Sequence, residues 1–200
     1  MSQQIPTFFL GDEYFIDEKV SFLKFTNEYK VYNELGVQIG AIKQRMTGWH
    51  KILTLLINKA MMPFQLEITD VNDQLQATIT RGWTFWMSKI IVTDPNGAEI
   101  GHIKQKFKFF KPTFLINDPS TGENIAQITG DWKAWNFTIK NATGEDMGKI
   151  SKKWAGAMKE IFTSADKYNV SIDPNYAENN KKVAIVATAI TIDMVLKESK

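Results

Sequence analysis

Cysteine is absent from the 200 residues. Its absence removes disulfides, thiolate nucleophiles, cysteine-ligated zinc and S-palmitoylation together, and it is compatible with a reducing compartment. Histidine is nearly absent too: His50 and His102 are the only imidazoles, so general-base chemistry has two candidates and no cluster. Charge of one sign is lacking. The formal net charge of +2 comes from 24 basic and 22 acidic side chains. A whole-molecule field therefore does not argue for nucleic acid or anionic lipid, and any such argument has to come from local patches. The stretch Met1-Ser2-Gln3-Gln4-Ile5-Pro6 has neither the basic nor the long apolar region of a secretion signal, and Ser2 stands where myristoylation requires glycine. No export is expected. No Gly-x-Ser-x-Gly, His-Glu-x-x-His, Gly-x-x-x-x-Gly-Lys or Gly-x-Gly-x-x-Gly pattern occurs, so the chain offers no recognisable catalytic or nucleotide-binding motif and is expected not to be an enzyme.

What is present is apolar material. Hydrophobic residues make up 44%, including 13 Phe, 6 Trp and 5 Tyr, enough to fill an interior without covalent staples. The length suits one domain spanning 1–200, with 1–12 expected as a loose N-terminal tail.

A hairpin unit recurs five times. Its first half is an alternating stretch that ends at Asn or Asp: Tyr29 to Asn33, Leu66 to Asp70, Ile91 to Asp94, Phe114 to Asp118 and Phe137 to Asn141. Four copies then reach a glycine, at Gly36, Gly97, Gly122 and Gly144, and the second has Asp73 there. Glycine and aspartate both tolerate the left-handed backbone that tight turns need. The second half begins apolar-small-x-Ile, as in Ile39-Gly40-Ala41-Ile42 and Ile100-Gly101-His102-Ile103. The second copy, Leu75-Gln76-Ala77-Thr78-Ile79, reads as the same pattern with one residue inserted. The small residue recurs at Gly40, Ala77, Gly101, Ala126 and Gly148, where a missing side chain allows a bulge or a close approach. Bulged hairpins in series predict a curved antiparallel sheet that closes on itself or folds into a sandwich.

Closure needs a filling, and Val183 to Leu196 supplies one. As a helix it spans about 21 Å against a hydrocarbon core of about 30 Å, and it carries Asp193, so burial in protein is expected over burial in a bilayer. Its large apolar side chains contribute about 10–25 kcal/mol on burial before entropy is subtracted. A second apolar segment, Trp49 to Ala60, fits either a strand pair or a helical excursion.

Ile150-Ser151-Lys152-Lys153-Trp154, then Glu160-Ile161-Phe162-Thr163, Ala165-Asp166-Lys167-Tyr168-Asn169-Val170 and Lys182 to Leu196 with Ile192-Asp193-Met194 run in an order that resembles the C-terminal block of the phospholipid scramblase and LURP-one-related family. The resemblance is dense from Lys149 onward; upstream it rests on the hairpin rhythm. It implies a mainly β fold, a Tubby-like closed antiparallel barrel of about twelve strands enclosing a hydrophobic C-terminal helix over 182–197. It also implies a membrane-associating domain that binds phospholipid headgroups and, in some relatives, calcium-triggered lipid movement between leaflets. The expected location is then cytoplasmic, peripheral at the inner face of the membrane. Calcium takes six to eight oxygens, and Asp166 and Asp173, beside Ser164 and the positive Lys167, make a poor site, so no cofactor is expected.

Two residue sets remain as binding candidates. Lys104, Lys106 and Lys108 fall on one face of a strand, and Lys43, Arg45, Lys149, Lys152 and Lys153 occupy similar places after other turns, which together would make a basic belt for anionic headgroups. The alternative is that exposed lysines block edge pairing and keep a barrel dispersed, leaving a ligand- or protein-binding module with no lipid role. Trp83 with Trp86, and Trp132 with Trp135, are spaced so that a strand would send the two rings of each pair to opposite faces, one for the core and one for an interface. Nucleic acid is not expected, because no RNP-type motif accompanies the aromatics. A hydrolase reading would need Asp131 or Asp166 beside a histidine, and the sequence brings none together.

Overall fold

The alternation of apolar and polar residues produces twelve strands: β1 (Glu13–Lys19), β2 (Glu28–Tyr32), β3 (Gln38–Arg45), β4 (Phe64–Asp70), β5 (Leu75–Arg81), β6 (Ile90–Thr93), β7 (Glu99–Lys108), β8 (Lys111–Asn117), β9 (Asn124–Asp131), β10 (Asn136–Asn141), β11 (Asp146–Ser151) and β12 (Lys167–Ile172). In the computed structural model the described residues are 5–19, 28–45, 62–83, 89–108, 111–131, 133–152, 167–176 and 179–197, without the side chains of Glu18, Lys19, Phe107, Lys108 and Lys197. The segment Trp49 to Ala60 lies outside them. Each strand pairs antiparallel with its neighbours in sequence, and β1 pairs with β12, so the sheet closes as a barrel. Closure leaves no edge strand to template aggregation.

The five repeats are five hairpins built the same way. The Asn or Asp that ends each first strand folds its side-chain oxygen over the turn. Asn33 accepts the amides of Leu35 and Val37, Asp70 those of Asn72 and Gln74, Asp94 those of Asn96 and Ala98, and Asn141 those of Thr143 and Glu145. Asp118 takes the amides of Ser120 and Thr121 in a turn one residue longer. Four turns place a glycine at positive φ, and Asp73 takes that role at φ 60. Side-chain capping is why these residue types recur.

Every hairpin then carries a one-residue register shift at the same height. The extra residue is Ile39, Gln76, Ile100, Ile125 or Met147, three positions after the turn residue, and the small residue follows it. The second copy therefore holds no insertion: Gln76 occupies the bulge where the other repeats have an apolar residue. It is buried, and its amide donates to the Gln74 carbonyl at 3.0 Å. A bulge bends its strand and sharpens the twist, and five in a ring supply the curvature that closure demands.

The small residues let neighbours approach. A Cβ on Gly148 would run into the Ser171 carbonyl oxygen of β12, and one on Gly101 would sit 2.9 Å from the Ala184 Cβ of the central helix.

That helix enters at the hairpin end as α1 (Asn180–Ile190), capped by Asn179, whose side chain accepts the amides of Lys181 and Lys182. It turns at Thr191 and continues as α2 (Ile192–Lys197). Val183 to Leu196 are buried throughout, as the expected filling requires. The helix has no solvated side to hide its hydroxyls, so Thr188 and Thr191 donate back to the carbonyls of Ala184 and Ala187, both at 2.7 Å. Tyrosines of the wall meet its far end: Tyr29 donates to Asp193 at 2.8 Å and Tyr168 donates to the Ile190 carbonyl. Lys182 is 1% exposed, and its ammonium donates to Asp12 at 3.1 Å and to the Leu10 carbonyl at 3.3 Å.

Those contacts correct the expectation of a loose tail over 1–12. Residues 5–12 are packed: Ile5, Phe8 and Phe9 are in the core, a 3-10 turn spans Thr7–Phe9, and Asp12 holds the helix lysine. Ile5, Phe8 and Phe9, three and one apart and interrupted by Pro6, are too few positions to set a strand or helix period.

Two stability predictions follow from this packing. Gly148→Ala is expected to lose about 1–3 kcal/mol, because a β-sheet backbone has to move to admit the methyl, whereas Gly82→Ala, with open space at its Cβ, changes stability by less than about 0.5 kcal/mol. Tyr29→Phe is expected to lose about 1.5–3 kcal/mol, the value of a buried hydrogen bond to a charged group. Urea midpoints at constant slope read both.

Candidate functional site

Carboxylates are concentrated at one end of this barrel, where Lys43, Lys140 and Lys182 pair with three of them. The turn chemistry that makes the hairpins places Asp70, Asp94 and Asp118 at one end, and Asp12, Glu13, Glu34, Asp73, Glu123, Glu145, Asp146 and Asp173 join them there. Lysines gather at the opposite, far end, on the arc from β7 to β11. Lys104 and Lys106 are exposed on β7, Lys111 is exposed at the start of β8, Lys133 lies between β9 and β10, and Lys152 follows β11. The one carboxylate at that end of the arc among the described residues is Asp131, whose Oδ1 accepts the amides of Lys133 and Ala134.

The predicted belt is therefore divided. β3, β7 and β11 are four strands apart in a ring of twelve, so their outer faces point a third of a turn from one another. One flat surface cannot touch all three. Lys43 is ion-paired with Asp73, and Arg45 donates to Glu67 at 2.8 Å, which commits both side chains locally. Lys149 is exposed halfway along β11, between Thr138 and Ser171. Lys153 lies outside the described residues, as does the Lys108 side chain. Lys104 and Lys106 share a face as expected, opposite Leu115 and Thr113 of β8, and make no ion pair among the described residues.

Sequence reasoning missed Lys111 and Lys133. Lys111 opposes Lys108 directly in the β7–β8 ladder. Like charges facing each other across a sheet are unfavourable unless an anion or solvent screens them. The signal was available in the close sequence spacing of Lys108 and Lys111, which the β7–β8 register sets opposite each other.

The tryptophans correct a second expectation. Trp83 lies beyond the end of β5 and Trp135 in the turn before β10 at φ 48, so strand alternation does not govern either ring. Trp83 is 53% exposed at the far end. Trp135 packs on Tyr168 and Phe137 with centroids 5.2 and 6.0 Å away, and the Lys152 ammonium sits 4.6 Å above it. Trp86 and Trp132 are outside the described residues.

The acid-base candidates have structural partners. His102 meets Glu99 three residues earlier on β7, and that hydrogen bond, helped by the Lys89 charge, holds the Glu99 carboxyl below its usual range. Asp131 caps its turn as described. Asp173 accepts the amide and side-chain nitrogens of Asn175, both at 2.9 Å. No group of three or more His, Asp or Glu able to hold a metal occurs among the described residues. His50 and Asp166 fall outside them.

The outer wall bears on membrane contact. Outward positions along the strands carry Lys30, Gln65, Glu67, Thr80, Lys104, Lys106, Gln127, Lys140 and Lys149, while inward positions carry Ile, Val, Leu and Phe. A membrane-spanning barrel has the reverse arrangement, an apolar band facing lipid. No helix among the described residues is long and apolar enough to cross a membrane.

With this geometry in view, comparison with known proteins is direct. A family model described as Scramblase matches residues 19–199. The chain belongs to the scramblase family. Human phospholipid scramblase family member 5 is 24% identical over 187 residues, which cover 86% of this chain and 67% of that one. Human phospholipid scramblase 1 is 27% identical over 151 residues, covering 68% and 47%. A phospholipid scramblase family protein of Schizosaccharomyces pombe is 22% identical over 163 residues, covering 76% and 42%. The chain thus spans 42–67% of the length of these relatives. A protein from Arabidopsis thaliana with an X-ray structure aligns at a TM-score of 0.54 and 9% identity, covering 93% of this chain and 92% of that one, and shows the shared fold. This chain's fold is the Tubby-like one, a closed antiparallel barrel of twelve strands around a C-terminal helix.

One electrostatic prediction tests the acidic end. Burial raises the Glu13 pKa, and the nearby charges of Glu34 and Asp12 add to the effect. For an acid raised on folding, the native state holds more protons between the two pKa values, so its ionisation lowers stability as pH rises. Glu13→Gln is therefore expected to raise the urea midpoint at pH 7, with the gain disappearing below about pH 4, where both states are protonated.

Proposed function

We propose that this is a membrane-associating, phospholipid-binding domain that works without covalent catalysis and meets anionic headgroups with the far rim of its barrel. The observation that carries the proposal is a lysine-rich arc: Lys106 and Lys111 stand toward the far end of β7 and β8, with Lys104 two residues back on the same face and Lys133 and Lys152 further round, and Asp131 is the one carboxylate at that end of the arc among the described residues. Each lysine close to an anionic surface is worth about 1 kcal/mol, and a contiguous arc can engage phosphates at once where a girdle cannot. The exposed indole of Trp83 at the same end suits the headgroup layer. The polar outer wall favours contact by a rim over insertion of the barrel. Lys43 and Arg45, each already paired with a carboxylate, are secondary in this reading, as is Lys149, which is flanked by Thr138 and Ser171 with no second lysine beside it. Membership of the scramblase family supports a lipid role, and the relatives' names extend the proposal to movement of phospholipid between leaflets.

Vesicle flotation tests it. The protein is expected to float with phosphatidylserine-containing vesicles at low salt and to sediment away from pure phosphatidylcholine vesicles. Reversing Lys104, Lys106 and Lys111 to Glu is expected to weaken binding by at least about a hundredfold, from roughly 1 kcal/mol per lost lysine, with Tm nearly unchanged because all three side chains are exposed. Equal binding to both vesicle types would sink the reading.

A further inference from the structure

The hairpin end carries a feature that lipid binding leaves unexplained. Between the β2–β3 hairpin, the β4–β5 hairpin and the N-terminal turn lies a cavity of about 430 Å³. Phe8, Ile39 and Val71 give it apolar walls, and Glu13, Glu34 and Asp70 bring carboxylates to it, with no lysine, arginine or histidine in its lining among the described residues. Two of these carboxylates are held in place: Glu13 accepts from Asn169 at 2.7 Å, and Asp70 accepts its turn amides. The raised Glu13 pKa agrees with a site short of positive charge.

Around the cavity the turn tips are aliphatic where a solvated turn is usually polar. Leu35 is 75% exposed, Val71 61% and Val37 56%, and Leu10 and Leu75 are also exposed. Apart from Trp83, these are the large apolar side chains exposed among the described residues, and all belong to the same two hairpins or the N-terminal turn. A patch of that kind, beside a cavity lined by three carboxylates and no cation among the described residues, with the nearby Lys43 and Lys182 already committed to Asp73 and Asp12, marks an interaction surface.

We propose that this end of the barrel docks a basic amphipathic peptide segment of a partner protein, with an arginine in the cavity and apolar side chains on the Leu35, Val37 and Val71 rim. Charge complementarity selects the partner. An anionic bilayer is repelled by the carboxylates here, and a free amine would leave the aliphatic rim uncovered. A closed barrel has no edge strand to extend, so the peptide is held through side chains and enters as a helix-in-groove ligand, not as an added strand. Arginine suits the cavity better than lysine, because its flat, weakly hydrated head can fork onto carboxylates while its stem lies on Phe8 and Ile39. This docking surface is opposite the lysine rim, so the two sites are tested separately.

The experiment uses the whole chain and a fluorescein-labelled helical peptide of about fifteen residues with Arg and Leu spaced i, i+4. Comparison probes replace Arg by Glu, replace Leu by Ser, or offer argininamide alone. The Arg–Leu peptide is expected to bind with Kd below about 100 μM and to shift the methyl resonances of Leu35, Val37 and Val71, and each altered peptide to bind at least about tenfold more weakly. Glu34→Lys with Val71→Ser, both at exposed turn positions, is expected to weaken binding at least about tenfold while Tm and flotation on phosphatidylserine vesicles stay unchanged. Leu35→Ser alone is the second variant, expected to act in the same direction. Absence of binding at about 1 mM, equal binding by the Glu peptide or argininamide, retention of binding in the variants, or vesicle-induced shifts at Leu35 and Val71 would each overturn the proposal.

Discussion

A helix whose side chains are buried on every side needs a wall on every side. Val183 to Leu196 present no polar stripe to solvent, so an open sheet packed against one face would leave the opposite face in water at about 25 cal/mol per Å² of apolar surface. Only a closed barrel covers such a segment, and only a segment of helical girth fills a barrel of twelve strands without a void. The two requirements meet at particular atoms. Gly101 has no side chain where Ala184 passes, and the helix hydroxyls fold back onto their own carbonyls because no water reaches them. The few polar groups that the helix does offer outward, Lys182 at its start and Asp193 near its end, are each met by a residue of the wall or the N-terminal turn. They fix how far the helix slides along the axis, a task that uniform apolar packing performs poorly.

Much of this was legible because it repeats. Asn or Asp at the end of each first strand, a left-handed residue after it and a small residue four positions further on are local requirements of capping, turning and bulging, and local requirements leave their mark in residue type. Gln76 misled the reading because the bulge position is apolar in the other four copies; its burial is satisfied by a hydrogen bond to Gln74, which no pattern of hydropathy encodes. The N-terminal segment was illegible for a different reason. Ile5, Phe8 and Phe9 close the helix entrance with irregular backbone, and irregular backbone has no period.

The site was half legible. Lys104 and Lys106 could be placed on a face from alternation alone, but their membership of a rim, and the exclusion of Lys43 and Arg45 from it, depends on which strands are neighbours around the ring and which carboxylates they meet. Those are long-range facts. The tryptophan spacing misled because it assumed strand geometry at two chain reversals, where the direction of a ring is set by the turn and, for Trp135, by packing on Tyr168 beneath Lys152.

The separation of charge into two ends has a physical origin in the fold. Asx-capped turns require Asp or Asn, all five hairpins turn at the same end, and the acidic end is therefore partly a by-product of building the barrel. No turn chemistry asks for lysines at the other end. The helix starts at the acidic end, where its first turn carries Lys181 and Lys182 and no acid of its own, and Lys182 is held there by Asp12. If the proposed lysine arc meets an anionic surface, electrostatic steering would bring it there first, most strongly at low ionic strength. In that proposed orientation the aliphatic hairpin tips would face away from the surface, where a second macromolecule could reach them.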